Sequence, residues 1–248
     1  LDTGQLRVVY QPQIDLATSR ITVVEALARW DHPTLGTVAP DTFIPLAEES
    51  GLIIALDDWV MRRACGQAQA WVDAGLPPVR MAVNLSGRAF QRARIVERVA
   101  EALALTGLRP EQLELEVTES MAVDQVADTR PLFRGLEALG VRLAIDDFGT
   151  GYSALGRLQG LPFHTLKIDR SFVAGVENPH DEAPIVAAMI AMAHALKLEV
   201  VAEGVETDAQ RVFLARHDCD IAQGYLFARP VEAAEIETML RPQPVLVA

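Results

Sequence analysis

The feature that most limits what this chain can fold into is a regular alternation of two apolar periodicities. Short runs rich in Val, Ile and Leu recur at Leu6–Ile14, Ile21–Leu27, Val79–Leu85, Gln112–Val117, Val141–Ile145, Thr165–Ile168, Leu198–Ala202 and Asp220–Ala222. Between most of them lie longer stretches with apolar residues at i, i+3 and i+4, as in Ile53–Trp71, Arg88–Leu105, Val123–Leu139, Ala183–Leu196, Thr207–Arg216 and Ala233–Leu240. The first pattern is that of buried strands and the second that of one-sided helices. Gly107 and Gly140 stand where a helix C-terminus favours a residue that tolerates positive φ. Strands alternating with helices predict an α/β fold, a (β/α)8 TIM-like barrel. Asp15–Arg20 is too short for a crossover helix, so the first strand pair is expected to be antiparallel.

With 248 residues, half of them apolar, the chain can fill one such core. No linker, repeat or low-complexity tract divides it, so a single domain over residues 1–248 is expected. It begins at Leu1 without Met and is strand-like by Leu6, which suggests a module excised from a longer protein. Lys and Arg total 22 against 34 Asp and Glu, a formal net charge of −12. That balance argues against a DNA or RNA duplex as partner but leaves room for a small anion neutralised by cations. No apolar run reaches the roughly 20 residues of a bilayer span, and no signal peptide is visible, so no membrane contact and a cytoplasmic site of action are expected. Cys65 and Cys219 lie far apart and read as reduced, packed thiols. None of His32, His164, His180, His194 and His217 has metal-ligand spacing to another; His194, on an apolar helix, reads as a packing residue. Trp59 and Trp71 fit a buried helix face.

The chemistry stands at the strand ends. Glu25, Asn84, Glu116, Asp146 with Asp147, Lys167 with Asp169, Glu203 with Glu206, and Gln223 each close or follow one of the predicted strands. A barrel opens all strand C-termini onto one face, so these groups should converge. Taken singly, each acid would be an ordinary loop carboxylate or helix cap; as a set, they need protons or cations to coexist. The donors are all oxygens, which points to hard ions such as Mg²⁺ or Mn²⁺ rather than zinc. Adjacent Asp146 and Asp147 could serve two neighbouring ions, the arrangement of two-metal phosphoryl transfer. Asp147-Phe148-Gly149-Thr150-Gly151-Tyr152 lacks the spacing of a dinucleotide fingerprint and reads as a mobile loop that Glu119 could tie down by a hydrogen bond.

Those residues resemble the EAL domain family of cyclic di-GMP phosphodiesterases. Glu25-Ala26-Leu27 continues to Arg29-Trp30, and Tyr10-Gln11-Pro12, Phe43-Ile44-Pro45 through Gly51, and Asn84-Leu85-Ser86 also match. Farther on come Glu116-Val117-Thr118-Glu119, the Asp146–Tyr152 run, Leu166-Lys167-Ile168-Asp169, Glu203-Gly204-Val205-Glu206 and Gln223-Gly224-Tyr225. Ala154 and Ala228 depart from the usual pattern at positions without a metal role. The resemblance implies hydrolysis of cyclic di-GMP to linear pGpG with two Mg²⁺ or Mn²⁺ ions, in bacterial signalling that governs biofilm and motility. It gives Glu25, Asn84, Glu116 and Asp146 to the first ion, and Asp146, Asp147 and Glu203 to the second. Lys167 would orient or help deprotonate the attacking water, with Glu25 and Glu203 sharing the catalytic role and Gln223 supporting the pocket. Arg29 would meet a phosphate, while Gln11, Pro45, Asn84 and Asp169 would contact the nucleotide. Glu119 would anchor the loop of Phe148, Gly149, Thr150 and Gly151, whose conformation the family links to metal occupancy and homodimerisation. An upstream sensory or GGDEF domain is a further implication. Two alternatives stay open at this level: a non-catalytic cyclic di-GMP receptor of the same fold, and an unrelated Mg²⁺-dependent barrel acting on a phosphorylated sugar or enolate.

Overall fold

The computed structural model describes residues 4–91, 94–123, 126–149, 160–176, 178 and 183–241. Among them, one sheet holds β1 (Leu6–Asp15), β2 (Ile21–His32), β3 (Gly36–Val38), β4 (Arg80–Asn84), β5 (Leu113–Thr118), β6 (Arg142–Phe148), β7 (Thr165–Ile168), β8 (Glu199–Ala202) and β9 (Ile221–Ala222). Its order is β1-β9-β8-β7-β6-β5-β4-β2-β3, and β1 also pairs with β2, so the sheet closes on itself while β3 hangs from β2. β1 runs antiparallel to both neighbours, with Leu6 opposite Trp30 and Gln13 opposite Val23. The remaining pairs around the ring, from β2 to β9, are parallel. The barrel expected from the alternating periodicities is therefore present, with its antiparallel opening hairpin.

Outside the ring lie α1 (Pro40–Ser50), α2 (Ile53–Asp73), α3 (Gly87–Gln91), α4 (Ile95–Thr106), α5 (Glu119–Val123), α6 (Val126–Leu139), α7 (Arg170–Val173), α8 (Pro184–Ala195), α9 (Asp208–Arg216) and α10 (Ala233–Leu240). The large core fills the space between strands and helices, with Trp71 and Tyr10 edge to face at 5.4 Å and Phe133 between Phe90 and Phe163. Inside the ring, Val23, Ala82, Val201 and Ile221 form a separate small plug. Both cysteines are buried free thiols. No helix among the described residues is long and apolar enough to cross a membrane.

Three local expectations are corrected. Arg88–Leu105 is not one helix but α3 and α4, and the break is marked by Arg94 at φ 121°, a conformation that cannot continue a helix. Pro110–Gln112 forms a 3-10 turn, so β5 begins at Leu113. His194 is no buried packing residue; it is partly exposed and its Nε2 lies 2.9 Å from Asp220 Oδ2. Helix α1 is not among the expected helices because Pro45 lies inside it, although Pro40 supplies a favoured first helical residue.

At the N-terminal ends of the strands, charge is matched. Buried Glu114 accepts from Arg142 Nε at 3.1 Å and from Thr165 Oγ1 at 2.8 Å, and Glu199 Oε2 lies 2.6 Å from Arg80 and 3.2 Å from Arg142. Two acids against two guanidinium groups close this end of the barrel as a structural plug. At the opposite end, α2 is tied to the exit of β4 by Asp57, whose Oδ2 accepts from Ser86 N–H at 3.1 Å and Ser86 Oγ–H at 2.6 Å. Burial pushes the Asp57 carboxyl up to about 6, against the opposing pull of the Ser86 hydrogen bonds.

Two outcomes follow. A Cβ on Gly224 would lie 2.1 Å from the carbonyl oxygen and 2.3 Å from the amide nitrogen of Val205, backbone atoms that cannot step aside. Gly224→Ala is expected to destabilise the fold by about 3 kcal/mol, read as a lower urea midpoint. Asp57 binds its proton more tightly folded than unfolded, so its contribution to stability is full at low pH and is lost as pH rises through about 6. Asp57→Asn keeps an acceptor for Ser86 and should raise the melting temperature at pH 7.5, with the gain fading toward pH 4; an unchanged pH profile would contradict this.

Candidate active site

Each parallel strand delivers its polar residue at the mouth because the register is nearly level around the ring. Glu25 stands beside Ala82, Asn84 beside Glu116, and Thr118 beside Asp146. Glu203 and Gln223 follow directly on β8 and β9, where Glu203 N–H donates to Ile168 O and Gln223 N–H to Ala202 O. Asp146 and Asp147 pose a geometric problem, since neighbours on a regular strand point to opposite faces. A bulge solves it. Ile145 pairs with Leu166 and Phe148 with Ile168, so both aspartates oppose the single residue Lys167. Asp147 then takes φ 54°, an uncommon backbone for a residue other than glycine, and its N–H donates to Asp146 Oδ1 at 3.0 Å.

Lys167 is the hub. Its Nζ is 2.7 Å from Glu116 Oε2, 2.8 Å from Glu203 Oε1, 3.1 Å from Asp146 Oδ1 and 3.9 Å from Glu25 Oε1, and its side chain is 1 % exposed. Burial disfavours the ammonium, but the surrounding carboxylates hold it charged, well above the usual lysine value. Burial pushes Glu116 well up, and Glu203 up to about 8. Asp147 is raised by burial and by the charges of Asp146 and Asp169. Glu25 goes the other way: burial opposes its charge, yet Lys167 and hydrogen bonds from Gln223 and Asn84 hold it below the usual carboxylate range. Gln223 Nε2 donates to Glu25 Oε2 at 2.6 Å, and Asn84 Nδ2 donates to Glu25 Oε1 at 2.7 Å.

One buried ammonium does not balance five carboxylates, so some stay protonated unless further cations enter. Three observations fit the site to hard divalent ions. The donors are carboxylate and amide oxygens. Asp146, Asp147 and Glu203 each offer an oxygen within 4.8 Å of the others'. Glu116 Oε1 is buried with no hydrogen-bond partner among the described residues. This acidic cluster can bind metal.

Two cavities flank the cluster and share Leu27 and Asp41 in their walls. The larger, about 670 Å³, is lined by Arg29, Pro45, Asn84 and Asp147, and the smaller, about 400 Å³, by Gln11, Glu25, Asp146, Lys167, Glu203 and Gln223. Asp169 lines neither; its Oδ1 accepts from Ser171 N–H at 3.0 Å and caps α7. Glu119 is buried, and its Oε2 accepts from Gly149 N–H at 3.0 Å, with Phe148 packed beneath in the core. Thr150, Gly151, Tyr152, Ala154 and His180 lie outside the described residues. Gln13, fully buried and donating from Nε2 to Gln223 Oε1 at 2.8 Å, is a neighbour of the site that the strand-end pattern overlooks. Its signal was available: Gln11 and Gln13 are two positions apart in an otherwise apolar strand and so share a face.

Known proteins share this arrangement of chain. The EAL domain family matches residues 1–230. The cyclic di-GMP phosphodiesterase NbdA of Pseudomonas aeruginosa is 48% identical over 241 residues, covering 97% of this chain and 31% of NbdA. The bifunctional diguanylate cyclase/cyclic di-GMP phosphodiesterase MucR of the same organism is 44% identical over 236 residues, covering 95% of this chain and 34% of MucR. The chain thus spans about a third of the length of these relatives. A solved structure of the P. aeruginosa MucR phosphodiesterase in complex with c-di-GMP superposes with a TM-score of 0.89 at 44% identity, covering 94% of each chain. The chain belongs to the EAL domain family.

Proposed function

We propose that this chain hydrolyses cyclic di-GMP to linear pGpG, using two Mg²⁺ or Mn²⁺ ions held at the barrel mouth. The observation that carries the reading is the acidic cluster set between two cavities that meet at Leu27 and Asp41. A two-fold ring of two guanosines joined by two phosphodiesters suits such a cleft. Relatives named as cyclic di-GMP phosphodiesterases, and the MucR phosphodiesterase solved with c-di-GMP, support the choice of substrate.

In this reading Glu25, Asn84, Glu116 and Asp146 hold one ion, and Asp146, Asp147 and Glu203 hold the other. The ions, when bound, offset the charge of the phosphodiester and acidify water. Asn84 and Gln223 fix both oxygens of Glu25, so that its carboxylate does not swing when the ligand enters. Arg29, half buried at the wall of the larger cavity, offers its guanidinium to a phosphate oxygen, while Pro45 and Gln11 bound the nucleotide sites. Lys167, as an ammonium, orients the attacking water by donation. Added positive charge from the ions would lower its proton affinity and favour a share in deprotonation. Glu119, through Gly149 N–H, sets the start of the loop that follows β6. Cytoplasmic action, homodimerisation, and a sensory or GGDEF domain elsewhere in a longer parent belong to the same proposal; MucR, named as both cyclase and phosphodiesterase, supports the last.

Incubation with cyclic di-GMP and Mg²⁺ or Mn²⁺, followed by chromatography, should yield pGpG, and a chelator should stop it. Binding without turnover would select the receptor reading, and neither binding nor turnover the unrelated barrel. Glu25→Ala or Asp146→Ala should lower turnover by at least about a hundredfold at saturating Mg²⁺, beyond the 10–100-fold typical of losing a ligand's supporting partner. Full activity in either variant would sink the assignment. Metal binding must also displace the proton that Glu203 carries below about 8. The apparent affinity for Mg²⁺ should therefore rise with pH through about 8 with measurable proton release, and a flat profile would contradict a proton held on Glu203 in the metal-free site. Specific activity measured across protein concentration tests the dimer: a constant value would remove it from the mechanism.

A further inference from the structure

Gln13, on β1, has no access to solvent, lines neither of the two cavities at the mouth and is not itself at the reacting centre. Its side chain nevertheless sits at the start of a chain of amides that ends on Glu25. Gln13 Nε2 donates to Gln223 Oε1 at 2.8 Å; Gln223 Nε2 donates to Glu25 Oε2 at 2.6 Å and to Gln11 Oε1 at 3.0 Å; Gln11 Nε2 donates to Ala228 O at 3.1 Å.

The direction of this chain follows from chemistry alone. An ionised carboxylate only accepts, so Gln223 must turn its NH₂ to Glu25, which leaves its carbonyl facing Gln13. Gln13 must then present its own NH₂, and its Oε1 is left buried with no partner among the described residues. A buried orphan acceptor costs about 1–3 kcal/mol, and an apolar side chain of the same size would only move that cost from Gln13 Oε1 to Gln223 Oε1, which would lose its donor. Stability therefore does not account for a glutamine here. What it supplies is a donor that holds Gln223 Oε1 in place, so that the amide whose NH₂ is committed to Glu25 is fixed at its other end.

We infer that Gln13 is a positioning residue for Glu25, acting through the orientation of the Gln223 amide and thereby on the affinity of the mouth for divalent cations. The inference rests on Glu25 being an ion ligand, as proposed above.

Gln13→Met keeps the volume and removes the donor. Mn²⁺ binding, followed by the electron paramagnetic resonance signal of free Mn²⁺, should weaken about tenfold, the usual scale for a residue that orients a metal ligand. The melting temperature without metal should stay about level, because the orphan at Gln13 Oε1 is exchanged for one at Gln223 Oε1. In a Gln223→Met background, Gln13→Met should add no further loss. Gln13→Leu makes the same predictions by a second route. Wild-type Mn²⁺ affinity in the folded variants, a full additional loss in the Gln223→Met background, or failure of both variants to fold would each overturn the assignment. The two proposals fail separately: a wild-type protein that binds Mn²⁺ without cleaving cyclic di-GMP defeats the catalytic reading alone, and unaltered metal affinity in Gln13→Met defeats this one alone. Absence of Mn²⁺ binding by the wild type overturns both.

Discussion

A single buried ammonium among carboxylates is the constraint on which the rest of this structure turns. Lys167 lies within 4 Å of Glu25, Glu116, Asp146 and Glu203, in a setting where each charge has lost most of its water. The opposite end of the same barrel shows what a finished ionic network looks like, with Arg80 and Arg142 matched to Glu114 and Glu199. One end of the barrel is balanced and closed. The other carries an excess of negative charge and opens onto two cavities. The surplus is tolerated because the acids share protons, as the upward displacement of Glu116 and Glu203 indicates, and it makes the mouth a place where added cations lower the free energy.

Holding such a cluster in place demands more than strand ends of the right length. The bulge in β6 makes two consecutive side chains share one face, and Asp147 adopts a left-handed backbone to permit it. The amides of Asn84 and Gln223 each donate to one oxygen of Glu25, and Gly224 lets the exit of β9 lie directly on Val205. These are locally unfavourable choices, each sustained by the packing around it.

Much of this was legible in the residues. Parallel strands buried on both faces read as continuous apolar runs, and the barrel rule then brings Glu25, Asn84, Glu116, Asp146, Lys167, Glu203 and Gln223 to one face without any distance being known. The break between α3 and α4 was hidden, because apolar spacing persists across Arg94 and only its backbone departs from helix. Helix α1 was masked by Pro45. Arg80, Glu114, Arg142 and Glu199 have no signature of their own in the sequence, since nothing in composition says that their strands start under a closed plug. The pair Asp146-Asp147 suggested two ions, but an alternating strand would have turned one aspartate away, and the bulge that prevents this leaves no mark in the sequence. Gln13 lies outside the strand-end pattern because β1, running the other way, contributes to the mouth from its middle.

That reversed strand has one more effect. In a barrel whose first strand runs with the others, the polypeptide enters at the closed end, a full strand length from the chemistry. Here Leu6 pairs with Trp30 beyond Glu25, and the carbonyl of Gln5 accepts from Asp31 N–H, so the beginning of β1 lies on the rim of the mouth. Six residues, three periods of the pleat, separate Gln5 from Gln11, so β1 joins the rim directly to the amides around Glu25.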